Sequence, residues 1–220
     1  MLRSAAVILL MAGSLPLSAQ RYNFKFYGEE EGLQNLGVQV VLQDHAGFLW
    51  VGTQNGLFRY DGNRFTGFTK NNGLPGSRIE SLHESADGTL WVGTRTGLAR
   101  RIGDAFEPVP MDVASGTVGR QGIASDQQGR LYLATDRGLV TRSRTGAKFE
   151  LVSSPDEEVS SVYVDGAGTV WYSCGLSLCT LTDGHEVQTG GDQGLPNERW
   201  ETILGDPGGN LCVRSQHSMY

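Results

Sequence analysis

Among side chains able to do covalent chemistry, none falls into a catalytic spacing. His45, His83, His185 and His217 share no common interval, and none has a second histidine at the distance a metal site needs. Cys174, Cys179 and Cys212 contain no Cys-x-x-Cys pair, so zinc is not indicated. Gly-x-Ser-x-Gly, phosphate-cradling and His-Glu-x-x-His motifs are missing from the sequence. The reading is therefore no catalytic residue, no metal and no cofactor. One catalytic alternative stays open: a carboxylate pair acting as acid and base on a polysaccharide, or a lyase.

Non-covalent recognition has better candidates. Seven residues before each of five recurring turn positions stand Gly37, Arg78, Gly119, Glu158 and Arg199, and one step further Arg120 and Trp200 join them. Arginine forks clamp carboxylates, and charged and aromatic groups together suit hydrogen bonding and stacking on a sugar. The candidate ligand-binding set is Arg78, Arg120, Glu158, Arg199 and Trp200. A solvated rim is the competing reading of the same residues.

The elements that position this set repeat. "GFLWVGTQNGL" at 47–57 returns as "GTLWVGTRTGL" at 88–98. The glycine recurs as Gly47, Gly88, Gly129, Gly168 and Gly209, at steps of 41, 41, 39 and 41 residues. Three residues before it stand Asp44, Ser85, Asp126, Asp165 and Asp206; three after stand Trp50, Trp91, Tyr132, Trp171 and Cys212. A unit used this often is a packing module stacked on its own copies, not a catalytic motif.

Within the first unit, turn chemistry separates four strands at 38–43, 48–53, 57–60 and 64–68. Asp44 and Gly47 make the first turn, and Asn55-Gly56 signals a type I′ hairpin, which needs positive φ at both residues. Four antiparallel strands every 40 or so residues describe an all-β propeller with about four complete blades and part of a fifth. The recurring aromatic fills the gap between blades, and Gly52 and Gly93 leave room for a neighbouring backbone. The fourth unit, with Ser173 for Gly52 and Ser177 for Gly56, is the irregular one.

Composition agrees. The 220 residues include 31 Gly, well above the usual frequency of about 7%. A net charge of -6 disfavours nucleic acid as partner. Residues 1–19 carry Arg3 and then a short apolar run to Leu17, which reads as a signal peptide and implies export, with 20–220 as the partial propeller. In an oxidising compartment an odd number of cysteines cannot all pair internally. Cys174 and Cys179 flank a tight turn in a diagonal placement, which leaves a bridge between them open.

"RYDGNRFTGF" (59–68), "GLPGSRIESL" (73–82) and "ADGTLWVGTRTGL" (86–98) together resemble the two-component regulator propeller repeat. The resemblance spans roughly 22–215 and weakens in the third unit. It implies a periplasmic seven-bladed propeller, often two in tandem, followed by a β-sandwich linker, a membrane helix and a histidine kinase, hybrid kinase or diguanylate cyclase output. It also implies a small-molecule ligand such as an oligosaccharide, and a dimeric receptor anchored in the inner membrane. The last unit stops in its third strand at Tyr220, so the expectation is an N-terminal fragment of a longer product whose downstream domains are its partners. "NFKFY" (23–27) is then a strand that helps close the ring. A propeller that serves only protein interaction is a further alternative.

Overall fold

The computed structural model describes residues 24–35, 37–112, 118–146, 148–153, 157–182, 184–190, 194–206 and 208–220. The proposed signal peptide lies outside them. Four antiparallel four-stranded sheets follow one another along the chain. The first holds β1 (Val38–Gln43), β2 (Leu49–Thr53), β3 (Gly56–Tyr60) and β4 (Phe65–Phe68). The second holds β5 (Ile79–Glu84), β6 (Leu90–Thr94), β7 (Gly97–Ile102) and β8 (Ala105–Val109). The third holds β9 (Val118–Ser125), β10 (Leu131–Thr135), β11 (Gly138–Arg142) and β12 (Glu150–Leu151). The fourth holds β13 (Val162–Val164), β14 (Val170–Cys174), β15 (Ser177–Thr182) and β16 (His185–Thr189), and a two-stranded fifth holds β17 (Thr202–Gly205) and β18 (Leu211–Arg214). The chain is an incomplete β-propeller whose innermost strands β1, β5, β9, β13 and β17 lie side by side. Helix among the described residues is limited to short 3₁₀ turns at Glu29–Glu31 and Lys70–Asn72.

Four of the five sheets are built around one carboxylate at the first turn, and the second around a serine. Asp44 Oδ1 accepts the Phe48 N–H at 2.8 Å to close the first turn, while its Oδ2 accepts the Trp50 indole N–H at 2.8 Å. Gly47 takes the positive φ of 88° that lets the chain return. Asp126 accepts from Arg130 N and Tyr132 Oη in the same way, and Asp165 from Thr169 N and the Trp171 indole. Ser85 replaces the carboxylate in the second sheet and still accepts the Trp91 indole N–H at 2.8 Å. In the fifth, where Cys212 stands in the aromatic position, Asn210 Nδ2 donates to Asp206 instead.

The rings so held fill the gaps between sheets. Trp50 is fully buried against Phe68 of its own sheet and Phe106 of the next, and Trp91 and Tyr132 are buried likewise. Trp171 departs from expectation, being only half-buried, because it faces a sheet of two strands in place of four. Between the second strand of one sheet and the first strand of the next the fit is tighter. A Cβ on Gly52 would lie 2.7 Å from the Ile79 side chain, and one on Gly93 2.8 Å from Val118. These glycines admit a side chain of the next blade's first strand, not a backbone.

The second-to-third-strand hairpins also differ from expectation. Thr53 pairs with Gly56, so the loop is Gln54-Asn55, and neither has positive φ. The turn is held instead by Thr53 Oγ1, which donates to Gly56 O at 2.9 Å and accepts from Asn55 N at 3.1 Å. Thr94 and Thr135, both fully buried, repeat this clasp. In the fourth sheet Cys174 occupies the clasp position and is joined to Cys179 by a disulfide across the diagonal. Cys212 is free and exposed. Residues 24–28 form no strand; Tyr27 packs on Tyr60 and Phe65, while Phe24 and Phe26 are exposed.

Trp50→Ala is expected to destabilise the chain by about 3–5 kcal/mol, the range for a large ring removed from a core, measured by denaturant unfolding. His83 on β5 meets Ser125 Oγ of the next sheet at 2.8 Å, and its burial lowers its pKa from 6.5 to about 4. The fold accepts the neutral ring, so stability is full above pH 6.5 and falls as pH drops from there toward 4, by up to about 3 kcal/mol. His83→Gln, which keeps an amide at the Nε2 position, should flatten that acid limb in melting curves taken across the window.

Candidate functional site

The starts of the inner strands and the second-to-third-strand hairpins gather at one end of the sheets. A cavity of about 480 Å³ opens there, across the third to fifth sheets. Gly119 and Arg120 contribute from β9, Glu158, Ser160 and Leu176 from the fourth sheet, and Asn197, Glu198, Arg199, Glu201 and the Ser215–His217 hairpin from the fifth. Three of the five candidate residues, Arg120, Glu158 and Arg199, thus line one hollow.

Each arrives by a different local route. Glu158 and Arg199 occupy the same position in successive repeats and form an ion pair at 2.7 Å, with side chains 53% and 64% exposed. Arg120 reaches the rim because β9 is bulged. Val118 pairs with Thr135 and Ile123 with Leu133, so Gly119–Gly122 stand opposite Ala134 alone. The matching bulges in β1 and β5 involve one residue, Gln39 and Glu80. Gln121 takes φ 47° within the larger bulge. Val118 consequently fills the slot over Gly93, and Arg120 is released toward solvent with its guanidinium 3.9 Å from Glu80.

The other two candidates lie elsewhere. Arg78 sits over the first and second sheets, bonded to Glu80 Oε1 at 2.6 Å and to Gln39 Oε1 at 3.2 Å. Trp200 is a correction, because its ring is fully buried with Leu178, Ile203 and Val213. The position one step past the rim is where Ile79 and Val159 pack inward, and Trp200 fills the same inward place. It is a core residue with no face left for a ligand.

The polar groups of the hollow are largely committed to one another. Glu198 accepts from the Ser215 hydroxyl and from Ser218 Oγ, the latter at 3.1 Å. Glu201 accepts from Gln216 Nε2 at 3.0 Å and lies 3.6 Å from Arg214. Two arginines face three carboxylates, so the wall is mixed in sign and closer to neutral than to cationic. Sequence reasoning missed Glu198, Glu201 and Gln216. Ser215 was legible in principle, since it holds the position of the buried Thr53 clasp and likewise accepts the N–H two residues on, from His217. Among the described residues no cluster of three or more His, Cys, Asp or Glu is placed to hold a metal ion.

Residues 32–55 and 73–96 match the family model for the two component regulator propeller. Those two stretches each carry one copy of the two-component regulator propeller repeat. A 68-residue stretch, 30% of the chain, is 38% identical to Histidine kinase P4 of Formosa agariphila and spans 5% of that protein. The extracellular domain of a hybrid two component system from B. thetaiotaomicron superposes with a TM-score of 0.75 at 21% identity, covering 89% of this chain and 30% of that one. Virginiamycin B lyase from Staphylococcus aureus superposes with a TM-score of 0.66 at 14% identity, over 81% of this chain and 63% of the lyase. The regulator-propeller repeat therefore spans only a small share of the curated relative, and the likeness to solved structures is one of fold.

The ion pairs at this end of the sheets differ in burial. The Glu80 side chain is only 10% exposed, so Arg78→Ala leaves a nearly buried carboxylate without its partner and should cost about 1–3 kcal/mol. Arg199→Ala, in an exposed pair, should cost under about 1 kcal/mol. Equal losses in chemical denaturation would show that the two pairs do the same work.

Proposed function

We propose that this chain is the extracellular or periplasmic input propeller of a transmembrane signalling receptor, without catalysis of its own. Its repeat family and its likeness to extracellular domains of hybrid two component systems support that placement. The hollow over the third to fifth sheets is the site at which a small polar molecule is recognised, and downstream domains of the same polypeptide carry the response. Dimerisation of the whole receptor belongs to the same proposal.

The observation that carries the ligand class is the pairing of charges. Arg199 is already neutralised by Glu158, and Glu198 and Glu201 already accept protein hydrogen bonds. An anionic ligand would have to displace these partners and would meet the carboxylates. A neutral polyhydroxylated ligand can bond to the remaining donors and acceptors of Asn197, Gln216 and the guanidinium edges without breaking the pairs. A carbohydrate fragment fits this chemistry, with Leu176 at the rim offering an apolar surface for a sugar face.

The test is a thermal-shift and calorimetric screen of the full-length receptor with neutral oligosaccharides. A ligand at a hundred times its Kd should stabilise the folded state by about 2.7 kcal/mol. Gln216→Ala with Asn197→Ala should weaken binding about tenfold or more, as expected for lost hydrogen bonds worth about 1 kcal/mol each. If the doubly substituted receptor binds and signals as the parent does, the ligand face lies elsewhere.

A further inference from the structure

At the opposite end of the strands, two neighbouring gaps between sheets use the same pair of arginines in different ways. Between the first and second sheets, Arg59 on β3 and Arg101 on β7 approach the Trp50 ring, at 5.8 and 5.1 Å from its centroid. Asp104 lies between them, 3.4 Å from Arg59 and 3.8 Å from Arg101. Between the second and third sheets the corresponding residues are Arg100 on β7 and Arg142 on β11, and Trp91 takes the place of Trp50. The loop from Arg142 to Phe149 is two residues longer than that from Arg101 to Phe106, and Thr145 stands three residues after Arg142 as Asp104 stands three after Arg101.

The consequence, among the described residues, is a cation without a carboxylate partner. Arg100 turns to Glu107 of its own sheet at 2.7 Å. Arg142 is held over the Trp91 and Phe149 rings, at 5.2 and 5.0 Å, and has no carboxylate partner or hydrogen bond among the described residues. Burial and the like charge of Arg100 push its pKa down. It opens on a cleft of about 190 Å³ that Arg144, Ser85, Ser143 and Gln127 also line, with Asp87 the one carboxylate, 3.9 Å from Arg144. In a chain of net charge -6 this is a local concentration of positive charge with a planar fork at its centre.

We propose that this cleft binds a small oxyanion, a carboxylate, sulfate or phosphate group, held by the guanidinium of Arg142, as Asp104 is held beside Arg59 and Arg101 at the preceding gap. Arg144 closes the rim, and Ser85, which also carries the Trp91 indole bond, couples the anion to the packing of that ring. The site is separate from the hollow at the other end of the sheets.

The experiment titrates the full chain with sodium sulfate, phosphate and acetate at constant ionic strength, against chloride, following the melting temperature and the ¹⁵N resonances of Arg142 Nε and the Trp91 indole. D-glucuronate against D-glucose separates an acidic group on a larger molecule from a free inorganic ion. A saturable shift of both resonances is expected with the oxyanions and not with chloride or glucose. Arg142→Gln should weaken binding at least about tenfold, the scale of a lost charge-assisted fork. Thr145→Asp, an exposed substitution, should raise the melting temperature in chloride and abolish the oxyanion response by supplying the carboxylate internally. A rise in melting temperature equal in all three proteins would be the general salting effect of sulfate and would overturn the proposal. So would an unshifted Arg142 resonance in the parent, or an undiminished response in Thr145→Asp.

Discussion

The bond from the turn residue to the aromatic ring six positions on organises the rest of the fold. A buried indole N–H without an acceptor is costly, and Asp44 removes that cost for Trp50, which lies fully between two sheets. The same carboxylate closes the first turn, which sets the register of β1 on β2 and hence which side chains face the neighbouring sheet. One short side chain thereby links local chain reversal to packing between blades. Ser85 shows that the acceptor, and not the charge, is the requirement.

The hollow at the hairpin end depends on that scaffold in a further way. Because every unit begins its inner strand at the same height, equivalent residues of adjacent blades meet, as Glu158 and Arg199 do. The bulge of β9 breaks the equivalence once, and the break is what brings Arg120 to the rim. A regular scaffold with a single local irregularity makes a site that differs from its repeats.

Periodicity made the architecture legible: strand limits, the glycines of the first turn and the buried Trp50, Trp91 and Tyr132 all follow from spacing and residue type. What periodicity concealed was depth. Counting one step past the rim treated Arg120 and Trp200 as equivalents, yet that position points inward, and only the two extra residues of the β9 bulge turn Arg120 outward. The hairpins misled for a related reason. Asn-Gly is a strong turn signal, but the buried threonine two residues earlier satisfies the loop amides through its hydroxyl and moves the glycine into the strand. Glu198 and Glu201 carry no mark in a single sequence, since their role comes from a hairpin that folds back across them.

In the fourth sheet a covalent link stands where its neighbours use a hydroxyl. Repeat proteins approximate a one-dimensional lattice in which each unit's stability adds to that of its interfaces. Exchanging a weak reversible clasp for a redox-dependent one at a single node ties the coupling along the lattice to whether the surroundings keep that bond oxidised. Reduction would remove the clasp of the fourth sheet alone, leaving hydroxyl clasps on either side of it, at Thr53, Thr94 and Thr135 and at Ser215. The bond is thus the one covalent restraint among the clasps, and its loss would be felt first in the local opening of the fourth sheet.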